Sequence, residues 1–455
     1  MRTGAVIALL LGLTATPAVA AADDDLVNTE VSFTNGDLTL HGTLVAPAGG
    51  RHLPGIVMVH GSGSPYPRER YRDQAEAFAK AGIATLIYDK REVGYSKTNR
   101  SYSVLADDAL AAVRALRERP EMDPERVGVW GLSEGGWVAP LAASRSSDVA
   151  FVVVLSANGG TPSRQQAWNV ANQLRAQGVT SSLLRTVTVT QMRLAVGSGI
   201  FPEAHYDPVP ALAKIRQPLL GLWGTRDTLT PPVSSARIFR DVLERSGNTH
   251  YTLRLFEGAD HGLHRTDDGF TRLPEFAPGY LEQVTSWVNA LADGPPKAST
   301  DVTTQPDEQI PELPPLSWYE SPGAQLGLLI LFVVAFGVFL LVEGALRLRG
   351  RSAPSRIGKR TRWLAAAGLL TTLGLVVYLG ALLMGSTRDI GPVFLGRTLP
   401  WLALQLLAVG TVVAVLRAAI AWHQDGRPRS PQVLLPLVAG ALFVPWAFYW
   451  GLLVP

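Results

Sequence analysis

The sequence predicts an α/β protein: a doubly wound, mostly parallel sheet followed by a four-helix transmembrane region. Three observations carry that expectation. Short apolar runs alternate with helical patterns between residues 27 and 292, a Pro-rich polar stretch occupies 293–323, and four apolar stretches fill the rest of the 455 residues. Only 17% of the residues are charged, against about 25% in soluble domains, so a disordered or wholly soluble chain is disfavoured. The chain has no cysteine, which excludes a disulfide scaffold, a zinc-thiolate site, a Cys nucleophile and a lipoprotein anchor.

Charge divides along the chain. Residues 324–455 hold 12 basic and 3 acidic residues, net +9, which leaves 29 basic and 35 acidic residues, net −6, in the remainder. The basic balance therefore does not describe a nucleic-acid-binding surface and follows membrane topology instead.

The N-terminus reads as a secretory signal peptide over 1–20: Arg2, an apolar run Ala5–Leu13, and Ala18-Val19-Ala20 before an acidic stretch, with cleavage expected after Ala20. Next, Glu30–Phe33 and Leu38–Val45 flank Asn35-Gly36, a hairpin signal. Strands are expected at Ile56–His60, Ala84–Tyr88, Val127–Gly131, Ala150–Leu155, Pro218–Trp223 and Tyr251–Phe256. Helices are expected at Tyr71–Ala81, Val104–Glu118, Gly135–Ala143, Val233–Glu244 and Pro278–Leu291. Buried strands alternating with helices imply a parallel sheet covered on both faces. The alternation lapses over about 158–216, where only helical patterns occur (Gln165–Gln177, Leu183–Val196). An insertion there overlies the C-terminal edge of the sheet, where ligands bind in open α/β folds, and reads as a helical lid. The stretch 293–323 reads as an extended tether.

The apolar stretches lie at about 325–346, 363–384, 400–422 and 433–454, each long enough for a ~30 Å hydrocarbon layer. Trp318, Tyr319, Trp363, Trp401, Trp422, Trp446 and Trp450 cluster near their ends. The first connecting loop carries Arg347, Arg349, Arg351, Arg356, Lys359, Arg360 and Arg362 with no acid. The second has Arg388, Arg397 and Asp389, and the third Arg427, Arg429 and Asp425. First and third loops in the cytoplasm put the preceding domain outside, in agreement with an exported N-terminus. Polar groups within the spans are few: Glu343, placed to pair with Arg347, and Gln405. Pro436 and Pro445 interrupt the last span without a matching half-repeat, so anchoring or partner binding is favoured over transport.

The central chemical signal is Gly131-Leu132-Ser133-Glu134-Gly135-Gly136 between an expected strand and helix. A sharp turn there exposes a strained serine above the sheet, the glycines leave room for crowded backbones, and the helix N-terminus adds partial positive charge. A serine nucleophile needs a base. His261, in the loop after the last expected strand, is preferred to His264. The base needs a carboxylate to fix its tautomer, and Asp227, after strand Pro218–Trp223, is preferred to the adjacent Asp260. The N–H groups of Ser62 and Glu134, with Gly61 as a further candidate, are expected oxyanion donors. Gly61–Ser64 lacks the Lys and spacing of a phosphate loop, and His60 reads as structural.

His60-Gly-Ser-Gly-Ser, Asp89-Lys-Arg-Glu-Val-Gly-Tyr-Ser96, Gly131-Leu-Ser-Glu-Gly-Gly-Trp137, Gly224-Thr-Arg-Asp227 and Asp260-His261-Gly262, in that order, resemble the α/β-hydrolase superfamily. Within it the chain is similar to the bacterial esterase and serine aminopeptidase-like branch, related to acylaminoacyl- and prolyl-peptidases. The resemblance covers residues 27–292 and departs from the family pattern at Glu92, where the branch often has glycine. It implies the α/β-hydrolase fold, a Ser133–His261–Asp227 triad, an oxyanion hole at Ser62 and Glu134, and no cofactor or metal. The expected function is a membrane-tethered extracytoplasmic serine hydrolase cleaving carboxylic esters, on a small-molecule or lipid-like acyl substrate, at the bacterial inner membrane. A peptidase, thioesterase or acyltransferase of the same fold is the alternative. A sensor that binds an acyl ligand and signals through the spans is the non-enzymatic one.

Overall fold

The computed structural model describes residues 25–96, 98–302, 308–350, 356–384, 387, 390–426 and 430–455. The expected signal peptide and the charges Arg351, Arg388, Asp389, Arg427 and Arg429 lie outside them.

Alternating apolar residues around the turn at Gly36 build the hairpin β1 (Leu26–Asn35) and β2 (Leu38–Pro47). Then follow β3 (Leu53–Val59), α1 (Arg72–Lys80), β4 (Ala84–Tyr88), α2 (Tyr102–Arg117), β5 (Met122–Leu132), α3 (Gly135–Ala143) and β6 (Val152–Leu155). After the insert come β7 (Leu219–Gly224) and β8 (Tyr251–Phe256). Among the described residues the sheet has nine strands in the order β1-β2-β4-β3-β5-β6-β7-β8-β11, where β11 is Ser299–Thr300. From β4 onward all neighbours run parallel, so the loops after β3, β5, β7 and β8 emerge at one edge.

Both faces of the sheet are covered. One core contains Leu105 and Val113 of α2, Val138 of α3, and Phe239 of α8 (Pro232–Arg245). The other contains Phe78 of α1 with Val284 and Trp287 of α9 (Tyr280–Ala290). The strands between them are apolar on both sides, as β3 shows by being buried throughout.

The insert is helical: α4 (Pro162–Ala176), α5 (Ser182–Arg185), a wider π-helical run Thr186–Gln191, α6 (Met192–Gly197) and α7 (Val209–Leu212). Two features were not legible beforehand. A hairpin, β9 (His264–Thr266) with β10 (Arg272–Phe276), follows the His261 loop. And the described residues of the Pro-rich stretch dock against the α/β domain and the insert. Ser299–Thr300 pairs with β8, the Glu308 carboxylate accepts from the N–H of Ser234 (2.9 Å), and Arg193 donates to the carbonyls of Pro314 (2.6 Å) and Pro315 (2.7 Å).

Four helices are long and apolar enough to cross a membrane among the described residues: α10 (Pro322–Leu348), α11 (Arg356–Met384), α12 (Leu399–Gln424) and α13 (Pro431–Tyr449). Glu343 meets Arg347 at 3.1 Å, as its spacing predicts, and Arg362 at 4.0 Å. The last helix stops at Tyr449, short of the expected Val454, because Gly451 takes φ +74° and turns the chain.

That turned terminus meets the insert. Ser182 Oγ donates to the carbonyls of Gly451 (2.7 Å) and Val454 (2.9 Å), and Thr186 Oγ1 to that of Trp450 (2.9 Å). Gln405 Nε2 donates to Val454 O at 2.7 Å, so a polar residue of the third apolar helix holds the segment after α13 in place. Leu174, Val179, Leu183 and Val187 of the insert share one apolar core with Phe332, Trp401, Trp446 and Trp450 of the helices.

Candidate active site

β5 runs into α3 through Ser133, whose φ of +58° is left-handed backbone costing a non-glycine residue about 1–3 kcal/mol. The surroundings enforce it. A Cβ on Gly131 would lie 2.1 Å from the carbonyl oxygen of Gly135, and one on Gly135 would lie 2.5 Å from that of Val59. Glycine at both positions lets strand, turn and helix crowd beneath the serine.

Two further loops meet at this edge. Asp227, after β7, is buried, and its Oδ1 accepts from the N–H of Leu229 (2.8 Å) and of Thr230 (2.9 Å). Its Oδ2 lies 2.8 Å from His261 Nδ1. A carboxylate held by two amides and turned to one imidazole nitrogen favours the tautomer with hydrogen on Nδ1. Asp260 is used otherwise. It accepts from the N–H of Gly262 (2.7 Å) and His264 (3.0 Å) and from Arg272 Nε (2.7 Å), which shapes the loop that presents His261. His264 turns to the carbonyls of Leu273 and Pro274, and burial, with Arg272 nearby, lowers its pKa.

The loop after β3 completes the edge. The Gly61 N–H donates to Tyr71 Oη (3.1 Å) and so serves the fold, which leaves the N–H groups of Ser62 and Glu134 as the oxyanion candidates. His60 is buried beneath, bonded to the Tyr88 carbonyl and packed edge-on against the Tyr88 ring. Burial, reinforced by Lys90, pushes its pKa down to about 3, so it is neutral and structural, as the sequence suggests.

Sequence reasoning did not find a buried charge cluster behind the elbow. The Glu134 carboxylate is 1% exposed. It accepts from Lys90 Nζ (2.6 Å), Arg100 Nη1 (2.9 Å) and Tyr95 Oη (2.8 Å). Lys90 also donates to the Gly61 carbonyl (2.7 Å) and lies over the Tyr95 ring, while Arg100 approaches Ser62 Oγ (3.3 Å). Lys90 and Tyr95 belong to the motif Asp89–Ser96, and that motif was the available signal. In the same loop Arg91 pairs with Asp108 at 2.6 Å, while Glu92 is solvent-exposed. A cavity of about 150 Å³ between α10 and α13 shares no residue with this site. Among the described residues no cluster of His, Asp and Glu is arranged to hold a metal.

Residues 95–286 match the model of the prolyl oligopeptidase family. The chain is 29% identical over 283 residues to Esterase EstD of Thermotoga maritima, a match covering 57% of this chain and 67% of that one. It is 32% identical over 142 residues to thiohydrolase aneE of Aspergillus aculeatus, covering 29% of this chain and 42% of that one. The crystallised Pyrobaculum calidifontis esterase superposes with a TM-score of 0.42 at 17% identity, over 58% of this chain and 86% of that one. The chain is thus similar to α/β hydrolases over its mostly parallel α/β domain, with the prolyl oligopeptidase family model matching residues 95–286, and four apolar helices follow that domain.

Proposed function

We propose that this chain is a serine hydrolase that cleaves carboxylic esters, tethered by its four helices with the hydrolase domain outside the cytoplasm. The observation that carries the reading is the 2.8 Å contact between His261 Nδ1 and Asp227 Oδ2 at the sheet edge where Ser133 sits at φ +58°. In this reading His261 Nε2 takes the Ser133 proton as Oγ attacks the carbonyl carbon, and the Asp227 carboxylate stabilises the resulting imidazolium. The negative oxygen of the tetrahedral intermediate is received by the N–H groups of Ser62 and Glu134, each such donor lowering the barrier by roughly 3 kcal/mol. His261 then returns the proton to the leaving alcohol, and water repeats the cycle on the acyl-enzyme.

The resemblance to an esterase supports the substrate class, and the thiohydrolase relative makes a thioester the second candidate. An aminopeptidase is disfavoured, because the carboxylate beside the nucleophile is already satisfied by Lys90, Arg100 and Tyr95 and is not available to a substrate ammonium. The excess of Arg and Lys after the first span favours an outside location for the domain.

The test is a panel of an ester, its matching thioester and an aminoacyl amide offered to the full chain in detergent micelles. The reading expects the ester to be turned over with the highest kcat/KM and the amide least. Faster turnover of the aminoacyl amide contradicts it.

A further inference from the structure

Two buried charges and one part-buried charge lie together at the foot of the Gly61–Ser64 loop, and they do not balance. Lys90, Glu134 and Arg100 have side chains 2%, 1% and 13% exposed, and together they carry one net positive charge. Lys90 is fully engaged with Glu134, the Gly61 carbonyl and the Tyr95 ring. Arg100 is not. Its Nη1 reaches Glu134 (2.9 Å) and Ser62 Oγ (3.3 Å), while its buried Nε has no hydrogen-bond partner. Its guanidinium stands 5.7 Å from the ring of Phe201, which the insert contributes. Glu203, another residue of the insert, accepts from the Tyr102 N–H (2.9 Å) and forms no ion pair with Arg100. A part-buried cation with a donor left unpaired is better compensated when a second anion joins it.

We propose that Arg100 is a specificity-determining residue that pairs with an anionic group, carboxylate or phosphate, carried a few bonds from the scissile carbonyl. This rests on the ester-hydrolase reading and gives it a substrate class. The position follows from the contacts. Ser62 is a candidate oxyanion donor, and Arg100 touches the side chain of that same residue, so a substrate carbonyl directed at the Ser62 N–H brings its near substituents toward the guanidinium. Phe201 approaches the part-buried guanidinium from the insert side, and in such partly desolvated surroundings a charge-assisted hydrogen bond gains strength. Both anion chemistries fit the planar fork of arginine.

The experiment compares two matched ester pairs on the full chain in micelles. Mono-para-nitrophenyl glutarate against para-nitrophenyl butyrate puts the charge on the acyl side. Para-acetoxybenzoate against its methyl ester puts it on the alcohol side. The expected result is a preference of about 10- to 100-fold in kcat/KM for the charged member of at least one pair. In Arg100→Gln that ratio falls toward one, and Arg100→Lys retains part of it. Equal turnover of charged and neutral esters, or a preference that survives Arg100→Gln, overturns the inference while leaving the hydrolase reading intact. Turnover of none of the four esters overturns that reading and the inference with it.

Discussion

His60 shows how a single side chain near the reaction can belong to the fold. It lies just before the Gly61–Ser64 loop, yet it is buried, bonded to the Tyr88 carbonyl and held neutral by desolvation and by Lys90. Its depressed pKa has a definite consequence for stability. The unfolded chain binds a proton on this residue near 6.5, whereas the folded chain resists until about 3. Between those values the unfolded state holds more protons, so stability falls as the pH is lowered, by up to about 1.4 kcal/mol per pH unit. Thermal unfolding of the full chain in micelles should show a lower midpoint at pH 5 than at pH 7. The difference should shrink in His60→Asn. An undiminished difference in that variant would assign the acid sensitivity to other groups. Asp260 makes the same point about adjacency: it neighbours His261 in sequence, yet its oxygens go to backbone amides and Arg272, and the contact to the imidazole comes from Asp227, on a loop 34 residues away.

Elements were legible where periodicity and punctuation were strong. Ala84–Tyr88, Gly135–Ala143 and Tyr251–Phe256 have the bounds their patterns suggest. The elbow could be read because its requirement is steric: carbonyl oxygens 2.1 and 2.5 Å from where a Cβ would stand exclude any residue but glycine at 131 and 135. The β9–β10 hairpin escaped because it has three and five residues and is fixed by Asp260, Thr266 and Asp268 accepting loop amides, not by apolar alternation. Ser299–Thr300 escaped for a related reason, since two residues inside a Pro-rich stretch carry no strand signal and gain order only from the open edge of β8. The Lys90–Glu134–Arg100 cluster was hidden by chain distance. Its members come from two segments, the β4–α2 loop with Lys90 and Arg100 and the turn after β5 with Glu134, and the Asp89–Ser96 motif did not by itself mark an ion pair made by long-range packing.

At the scale of the molecule, the insert is shared between two structures. At its start, α4 lies against the acid loop, where Gln165 donates to the Leu229 carbonyl and Asn172 to that of Thr228 (3.2 Å). At its end, Gln177 donates to the carbonyl of Thr387, between the second and third apolar helices. With 15 residues, α4 is about 22 Å long and joins the loop that holds Asp227 to the end of the helix bundle. The four apolar helices also support the insert, because Trp401, Trp446 and Trp450 give it an apolar seat. A chain ending at residue 302 would expose Leu174, Val179, Leu183 and Val187 and lose that seat. Limited proteolysis should cut such a chain within the insert at a protease concentration that leaves the insert of the full chain whole. Equal protection in both would mean that the insert is held by the α/β domain alone.

The central claim is that Ser133 is the reactive nucleophile, activated by His261. Incubating the full chain with a fluorophosphonate and sequencing the labelled peptide by mass spectrometry tests it directly. The account predicts a single adduct on Ser133, absent in Ser133→Ala and formed orders of magnitude more slowly in His261→Ala. No adduct on folded protein, or an adduct on another residue that persists in Ser133→Ala, would contradict it.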